Sequence, residues 1–195
     1  PYNRYLLKLY SAMLGEDICN FRGVAFKKRV FDKTANQFKL NLYPISFRHD
    51  DDELWEKSFY EKTGLPTKSM YRAWCQQHRF QEIKEWVHNN SPKLIVGTGF
   101  SYWKEFIMAF EGVERIFDSE EIHEEEPVRE TSARKLIWLS INNGKTLLVI
   151  TPFLGGRYGL SSDVLLEAFG KAIWKICESQ LEAGDIRKLV GDSAV

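Results

Sequence analysis

The chain has 195 residues, 44% hydrophobic and 28% charged, which is the make-up of one globular domain with a sizeable core. Lys plus Arg equals Asp plus Glu at 27 each, so the formal charge is zero; this argues against a strong non-specific polyanion binder and leaves nucleic acid to a local patch. Cys19, Cys75 and Cys177 lie too far apart for a disulfide framework or a paired-cysteine metal site, they fit a reduced, cytoplasmic protein, and no run of about 18 apolar residues marks a membrane span.

In chain order, Tyr5, Leu6, Leu9, Met13 and Leu14 recur at helical spacing and predict a helix over 3–14 that ends at Gly15. A basic stretch, Lys27-Lys28-Arg29, follows. The alternation in Phe38-Lys-Leu-Asn-Leu-Tyr predicts a strand over 37–43 that stops at Pro44 and carries Asn41 near its end. His49-Asp-Asp-Asp-Glu53 reads as an acidic helix N-terminus, broken at Gly64-Leu-Pro66. Met70, Trp74, Ile83, Trp86 and Val87 predict one long amphipathic helix over 68–90.

Leu94-Ile-Val96 reads as a buried parallel strand, and Gly97-Thr-Gly99 turns it into a helix over 101–110. Residues 118–130, with seven Glu and Asp, read as a loop. Strands over 136–141 and 145–150 flank Asn143-Gly144, a strong hairpin signal. The rest is helical from Ser162 to about Val190, broken near Gly184. The order α-β-α-α-β-α-β-β-α predicts an α/β protein: a three-layer α/β/α sandwich with a mostly parallel central sheet and one β-hairpin.

Several groups carry candidate chemistry. Gly97-Thr-Gly-Phe-Ser101 offers a phosphate a helix N-terminus, yet it matches no dinucleotide or P-loop motif and reads better as a tight turn. The 49–53 acids read as helix capping rather than a metal site, and Cys75 with His78 lacks a second ligand pair, so no metal and no cofactor are expected. Lys27, Lys28, Arg29 and Lys33 are either phosphate contacts or a solvated basic helix face. After the strand at 145–150 come Thr151-Pro152-Phe153 and a glycine-rich loop with Gly155, Gly156, Arg157 and Tyr158, at a strand's carboxyl end where ligands bind in open α/β sheets. There Tyr can stack on a base and Arg can pair with phosphate, or the loop is an ordinary polar one. The Asn41 amide can read a base edge, or it satisfies backbone groups at a strand end.

Three segments together resemble the uracil-DNA glycosylase superfamily: Phe38-Lys-Leu-Asn-Leu-Tyr-Pro44, Pro92-Lys-Leu-Ile-Val-Gly-Thr-Gly99, and Leu147-Leu-Val-Ile-Thr-Pro-Phe153 with its loop and helix. The resemblance implies a single domain over 1–195 whose first strand, with its water-activating Asp or Asn turn, would lie upstream of Pro1 or be lacking in this branch. It implies a flipped base read by Asn41, a site formed by Phe153, Gly155, Gly156, Arg157 and Tyr158, and Thr151 at the place of the family's catalytic His. A Thr cannot act as an imidazole does. Duplex DNA or a free base or nucleotide is then the expected partner, no membrane is expected, and DNA repair is the expected setting. Two classes of function remain open: a glycosylase, and a non-catalytic binder of the same fold serving regulation.

Overall fold

The structure is a computed structural model that describes residues 2–33, 35–45, 55–128 and 134–190. The chain gathers into two compact units, one of residues 1–39, 91–103 and 118–195, the other of residues 40–90 and 104–117.

The larger unit is built on a four-stranded sheet of β1 (Leu94–Thr98), β2 (His123–Val128), β3 (Arg134–Ile141) and β4 (Thr146–Thr151), in the order β1-β4-β3-β2. β1 runs parallel to β4, with Val96 opposite Val149, whereas β4–β3 and β3–β2 are antiparallel. The sheet is therefore mixed, not mostly parallel as expected. The cause is local: β3 and β4 are joined by a tight turn with Asn142, Asn143 and Gly144 all at positive φ, and a hairpin pairs its strands antiparallel. β4 is buried along its whole length and lies inside the sheet, between β1 and β3.

One face of the sheet presents Leu94, Val96, Leu136, Trp138, Leu147 and Val149 to a core completed by α1 (Tyr2–Met13) and α7 (Asp163–Gln180). α7 contributes Leu166, Phe169, Ile173, Ile176 and Cys177, and α1 contributes Leu9 and Met13 and packs along α7. Burial pushes the Cys177 thiol up to about 12, which leaves it inert. α1 ends at Met13, and Gly15, the expected stop, follows in the turn at φ 69. The break after α7 falls at Leu181, three residues before the expected Gly184, which lies inside α8 (Ala183–Val190). α2 (Phe21–Lys27) follows a 3₁₀ turn capped by the Asp17 carboxylate, which accepts from the Cys19 amide.

The acidic stretch expected to be a loop forms β2. Its backbone pairs with β3, the Lys135 ammonium reaches the Glu124 and Glu126 carboxylates at 3.0 and 3.7 Å, and the His123 ring stacks on Trp138 at 4.1 Å. Cross-strand charge pairing replaces the apolar alternation that normally betrays a strand. Glu residues and Pro127 suit an edge that recruits no further strand.

The smaller unit holds α3 (Lys57–Thr63), α4 (Lys68–Trp74), α5 (Phe80–Asn90) and α6, which begins at Trp103 in the larger unit and runs Trp103–Phe110. α3 starts at Lys57, and the expected helix start at His49–Glu53 lies outside the described residues. Gly64 ends α3 in the left-handed region at φ 72. α4 and α5 are joined by a π-helical turn, Cys75–Arg79. The extra residue it inserts moves the buried stripe to Tyr71, Cys75, Phe80, Ile83 and Val87. Met70 and Trp74, placed on that stripe by a regular helix, are instead about half exposed at 48% and 49%.

Residues 37–41 form no strand. The carbonyls of Asn41 and Leu42 accept from the Arg79 guanidinium at 2.9 and 3.0 Å, and the Ile45 amide donates to the Tyr71 hydroxyl at 3.0 Å. A helix side chain thus satisfies backbone groups that a neighbouring strand would otherwise have paired.

Candidate functional site in the larger unit

The glycine-rich loop stands where β4 ends beside β1. At that end Thr98 pairs with Thr151, and the Gly99 amide donates to the Thr151 carbonyl at 2.9 Å. The Thr151 side chain is fully buried, and its hydroxyl faces the carbonyls of Gly97 (3.3 Å) and Pro152 (3.1 Å) as a donor. It is a strand-end clamp, and its single proton is not aimed at a ligand. The expected catalytic use of Thr151 therefore has no geometric basis.

From Phe153 the chain closes a small loop. The Leu160 amide donates to the Phe153 carbonyl at 2.8 Å and the Gly155 amide to the Leu160 carbonyl at 3.1 Å. Leu154 and Leu160 plug the loop into the core at 2% and 0% exposure. Gly155 and Gly156 sit at φ 103 and 75, where a side chain is strained. A Cβ on Gly155 would also approach the Tyr5 ring at 3.2 Å. The Gly155 amide is already paired with the Leu160 carbonyl, so of the two site glycines it is the exposed Gly156 that can offer an amide to an anion.

What the closed loop sends outward is aromatic and cationic. Tyr158 is 82% exposed and Phe153 55%. The Arg157 guanidinium lies 5.6 Å from the Tyr158 ring centre, and the Arg157 carbonyl accepts from Arg134 at 3.1 Å. Phe153 leans on Tyr2, with ring centres 5.6 Å apart. The Tyr2 hydroxyl is hydrogen-bonded to Thr98 Oγ1 at 2.8 Å, and the Lys39 ammonium stands 4.7 Å over the other ring contact of this group, the Tyr2 ring. Lys39 also donates to Asn3 Oδ1.

After the loop, the Ser162 side chain caps α7 by accepting from the Leu165 amide. The first helical residue, Asp163, takes a bidentate bond from the Lys8 ammonium at 2.6 and 2.7 Å. Lys8 is 4% exposed and lies over the Phe21 ring, whereas the Asp163 side chain is half exposed. The two partners therefore respond unequally to loss of the other. Asp163→Ala strands a buried ammonium and removes a carboxylate from a helix N-terminus, at an expected cost of about 1.5 kcal/mol after discounting for the exposed half of the pair. Lys8→Met fills the same space without charge and leaves Asp163 in solvent at a favourable helix end, so its cost stays within about 0.5 kcal/mol. Urea unfolding of both variants checks the inequality; equal losses would contradict it.

The other expected site residues fall elsewhere. Lys27 is exposed at the end of α2, and Lys28 forms its C-cap. Arg29, at φ 51, is bound by the Asp32 carboxylate at 2.6 and 2.9 Å, so its charge is already answered. Asn41 belongs to the smaller unit, with its side chain exposed. There Cys75 is buried, burial raises its thiol, and the His78 ring lies tilted against Trp74 at 5.0 Å. Burial also pushes the Tyr71 hydroxyl up to about 12. Among the described residues no group of three His, Cys, Asp or Glu is placed to hold a metal ion. Sequence reasoning missed Tyr2, Phe153's partner, and Lys39. Their only signal is that an aromatic opens α1 on the same side as the helix's apolar residues.

Comparison with protein-family models, curated proteins and solved structures returns no match.

Proposed function

We propose that this chain binds nucleic acid by stacking an unpaired base on Tyr158, with Arg157 beside it to meet a phosphate, and that it does so without cleaving the glycosidic bond. The observation that carries this reading is an aromatic ring 82% exposed on a loop fixed at both ends. A rigid exposed ring accepts a base face at little entropic cost, and base–aromatic stacking is worth about 1–3 kcal/mol. Thr151 supports the non-catalytic half, because its hydroxyl is spent on two carbonyls. The three-layer arrangement is part of the same reading. It is supported by the full burial of Leu139, Leu148 and Ile150 on the sheet face opposite α1 and α7, the effect of a second covering layer. So is a reduced cytoplasmic setting, in keeping with three free thiols; among the described residues no helix is long and apolar enough to cross a membrane.

A uracil-DNA-glycosylase-like activity is the second reading. It is favoured by the exposed Asn41 amide on a segment whose backbone is held by Arg79 and Tyr71. One titration tests both. Short duplexes carrying uracil, a mismatch or an abasic site are bound at two salt concentrations, with base release followed in the same samples. The expected result is binding at low salt, weakened about tenfold by Tyr158→Ala, with no base release. Base release abolished by Asn41→Ala would establish the glycosylase instead. No binding at low salt, either of these duplexes or of a single strand of the same length, would remove nucleic acid as the ligand.

A further inference from the structure

We infer that the ligand of this site is a run of unpaired nucleotides, a single strand rather than one flipped base in a duplex, laid across Tyr158, Phe153 and Lys39. The inference rests on the nucleic-acid reading of Tyr158 and extends it. Two rings, not one, leave the same closed loop for solvent, at 82% and 55% exposure. A base flipped from a duplex occupies one stacking position; two positions on one rigid loop match two consecutive bases with no pairing partners. Phe153 has a built foundation: Tyr2 packs against it at 5.6 Å, and Tyr2 is itself tied to the end of β1 through Thr98. The ring is thus presented rather than merely left over.

The charges are placed to match. Arg157 borders the Tyr158 ring, and Lys39 stands 4.7 Å over the Tyr2 ring, whose other neighbour is Phe153. Among the described residues Lys39 donates to Asn3, and an ammonium has three donors, so capacity for a phosphate remains. A duplex would hide its bases from both rings and be left with the few cations placed here, Arg157, Lys39 and Arg134, on a chain of zero net charge. That is too little charge for duplex affinity, which is built from phosphate contacts. A single strand offers base faces and phosphates together.

The test uses the full chain and fluorescently labelled thymidine oligomers of about eight nucleotides, a duplex of the same length, and an abasic oligomer with the same phosphates but no bases. The expected result is binding of the single strand at least about tenfold tighter than of the duplex or the abasic oligomer. Tyr158→Ala and Phe153→Ala are each expected to weaken it about tenfold. Phe153→Leu, which keeps an apolar contact for Tyr2, is included so that a loss from misfolding is separated from a loss of stacking. Lys39→Ala, on an exposed side chain, is expected to lower the salt dependence by about 0.7 log units per log unit of salt, the share of one phosphate on a single strand. Equal binding of duplex and single strand, with Tyr158 alone mattering, would overturn the extended track and leave the Tyr158 reading standing. Equal binding of the abasic oligomer would overturn stacking altogether. No binding of any oligomer at low salt would end both readings.

Discussion

Gly170→Ala is expected to destabilise the larger unit by about 2 kcal/mol, although Ala is the better helix former by about 1 kcal/mol. Gly170 lies inside α7, where α1 crosses closest. A Cβ there would sit 2.5 Å from Ala12 Cβ, 2.9 Å from the Met13 amide nitrogen and 3.0 Å from the Ala12 carbonyl carbon. Two of those three neighbours are backbone, so the helices must part, and overpacking of this kind costs about 3 kcal/mol before the helix propensity is credited. The measurement is thermal unfolding, with an expected drop of about 4–8 °C for a chain of this size. Ala12→Gly in the same molecule removes the nearest atom and should restore part of the loss, leaving the contact with Met13. A stabilised Gly170→Ala variant would mean that α1 and α7 do not pack as closely as described.

That contact also shows what the sequence could announce and what it could not. α1 was legible from Leu9 and Met13 at helical spacing, and the hairpin from Asn143-Gly144, because both signals are local. β1 was legible as a short apolar run that pairs parallel to β4, but it is an edge strand, half-buried rather than buried as expected. The strand expected at 37–43 failed for a physical reason. Alternation makes a segment able to be a strand, but a strand exists only with a partner edge, and here the Arg79 guanidinium took the carbonyls first. β2 failed in the opposite direction: His123 to Glu126 have a poor strand composition, and Trp138 and Lys135 across the ladder supply what composition lacks. The π turn at Cys75–Arg79 leaves no mark in the residue pattern except the odd spacing of five from Cys75 to Phe80.

The candidate site was half legible. Arg157 and Tyr158 between glycines pointed to an outward loop, and that loop is outward. The chemistry of Thr151 was not legible, since whether a hydroxyl faces a ligand or a carbonyl depends on the strand beside it. Nor was Tyr2 beneath Phe153, which needs the start of α1 and the end of β4 to be adjacent in space though separated by most of the chain. Fold-level resemblance offers no substitute for those contacts. The resemblance placed its marker residues on a parallel sheet with Asn41 at a strand end, and the chain instead has a mixed sheet and an irregular segment there.

Gly159→Ala should separate the loop's architecture from its exposed chemistry. Gly159 is not at positive φ, so torsion gives no reason for it to be glycine. Space does: a Cβ would fall 2.0 Å from the Gly155 carbonyl oxygen and 2.2 Å from that of Phe153. Both obstacles are backbone, and the second is the acceptor for the Leu160 amide. The loop cannot keep that bond and admit the methyl group. The expected cost is about 3 kcal/mol, from overpacking together with a broken buried hydrogen bond. Fast hydrogen exchange at the Leu160 amide should accompany it. Tyr158 and Phe153 would remain exposed, but on a loop that no longer fixes them, so oligonucleotide affinity should fall by more than about tenfold as the ordering entropy returns. Gly156→Ala provides the contrast. Its Cβ would meet nothing within 4 Å, and the cost is only the left-handed conformation at φ 75, about 1 kcal/mol with the closing bonds intact. Affinity should survive that change. If Gly159→Ala kept both the protected Leu160 amide and the affinity, the closed loop would not be what presents the rings. If both glycine variants lost affinity equally, freedom of the loop rather than its rigidity would be what the ligand uses.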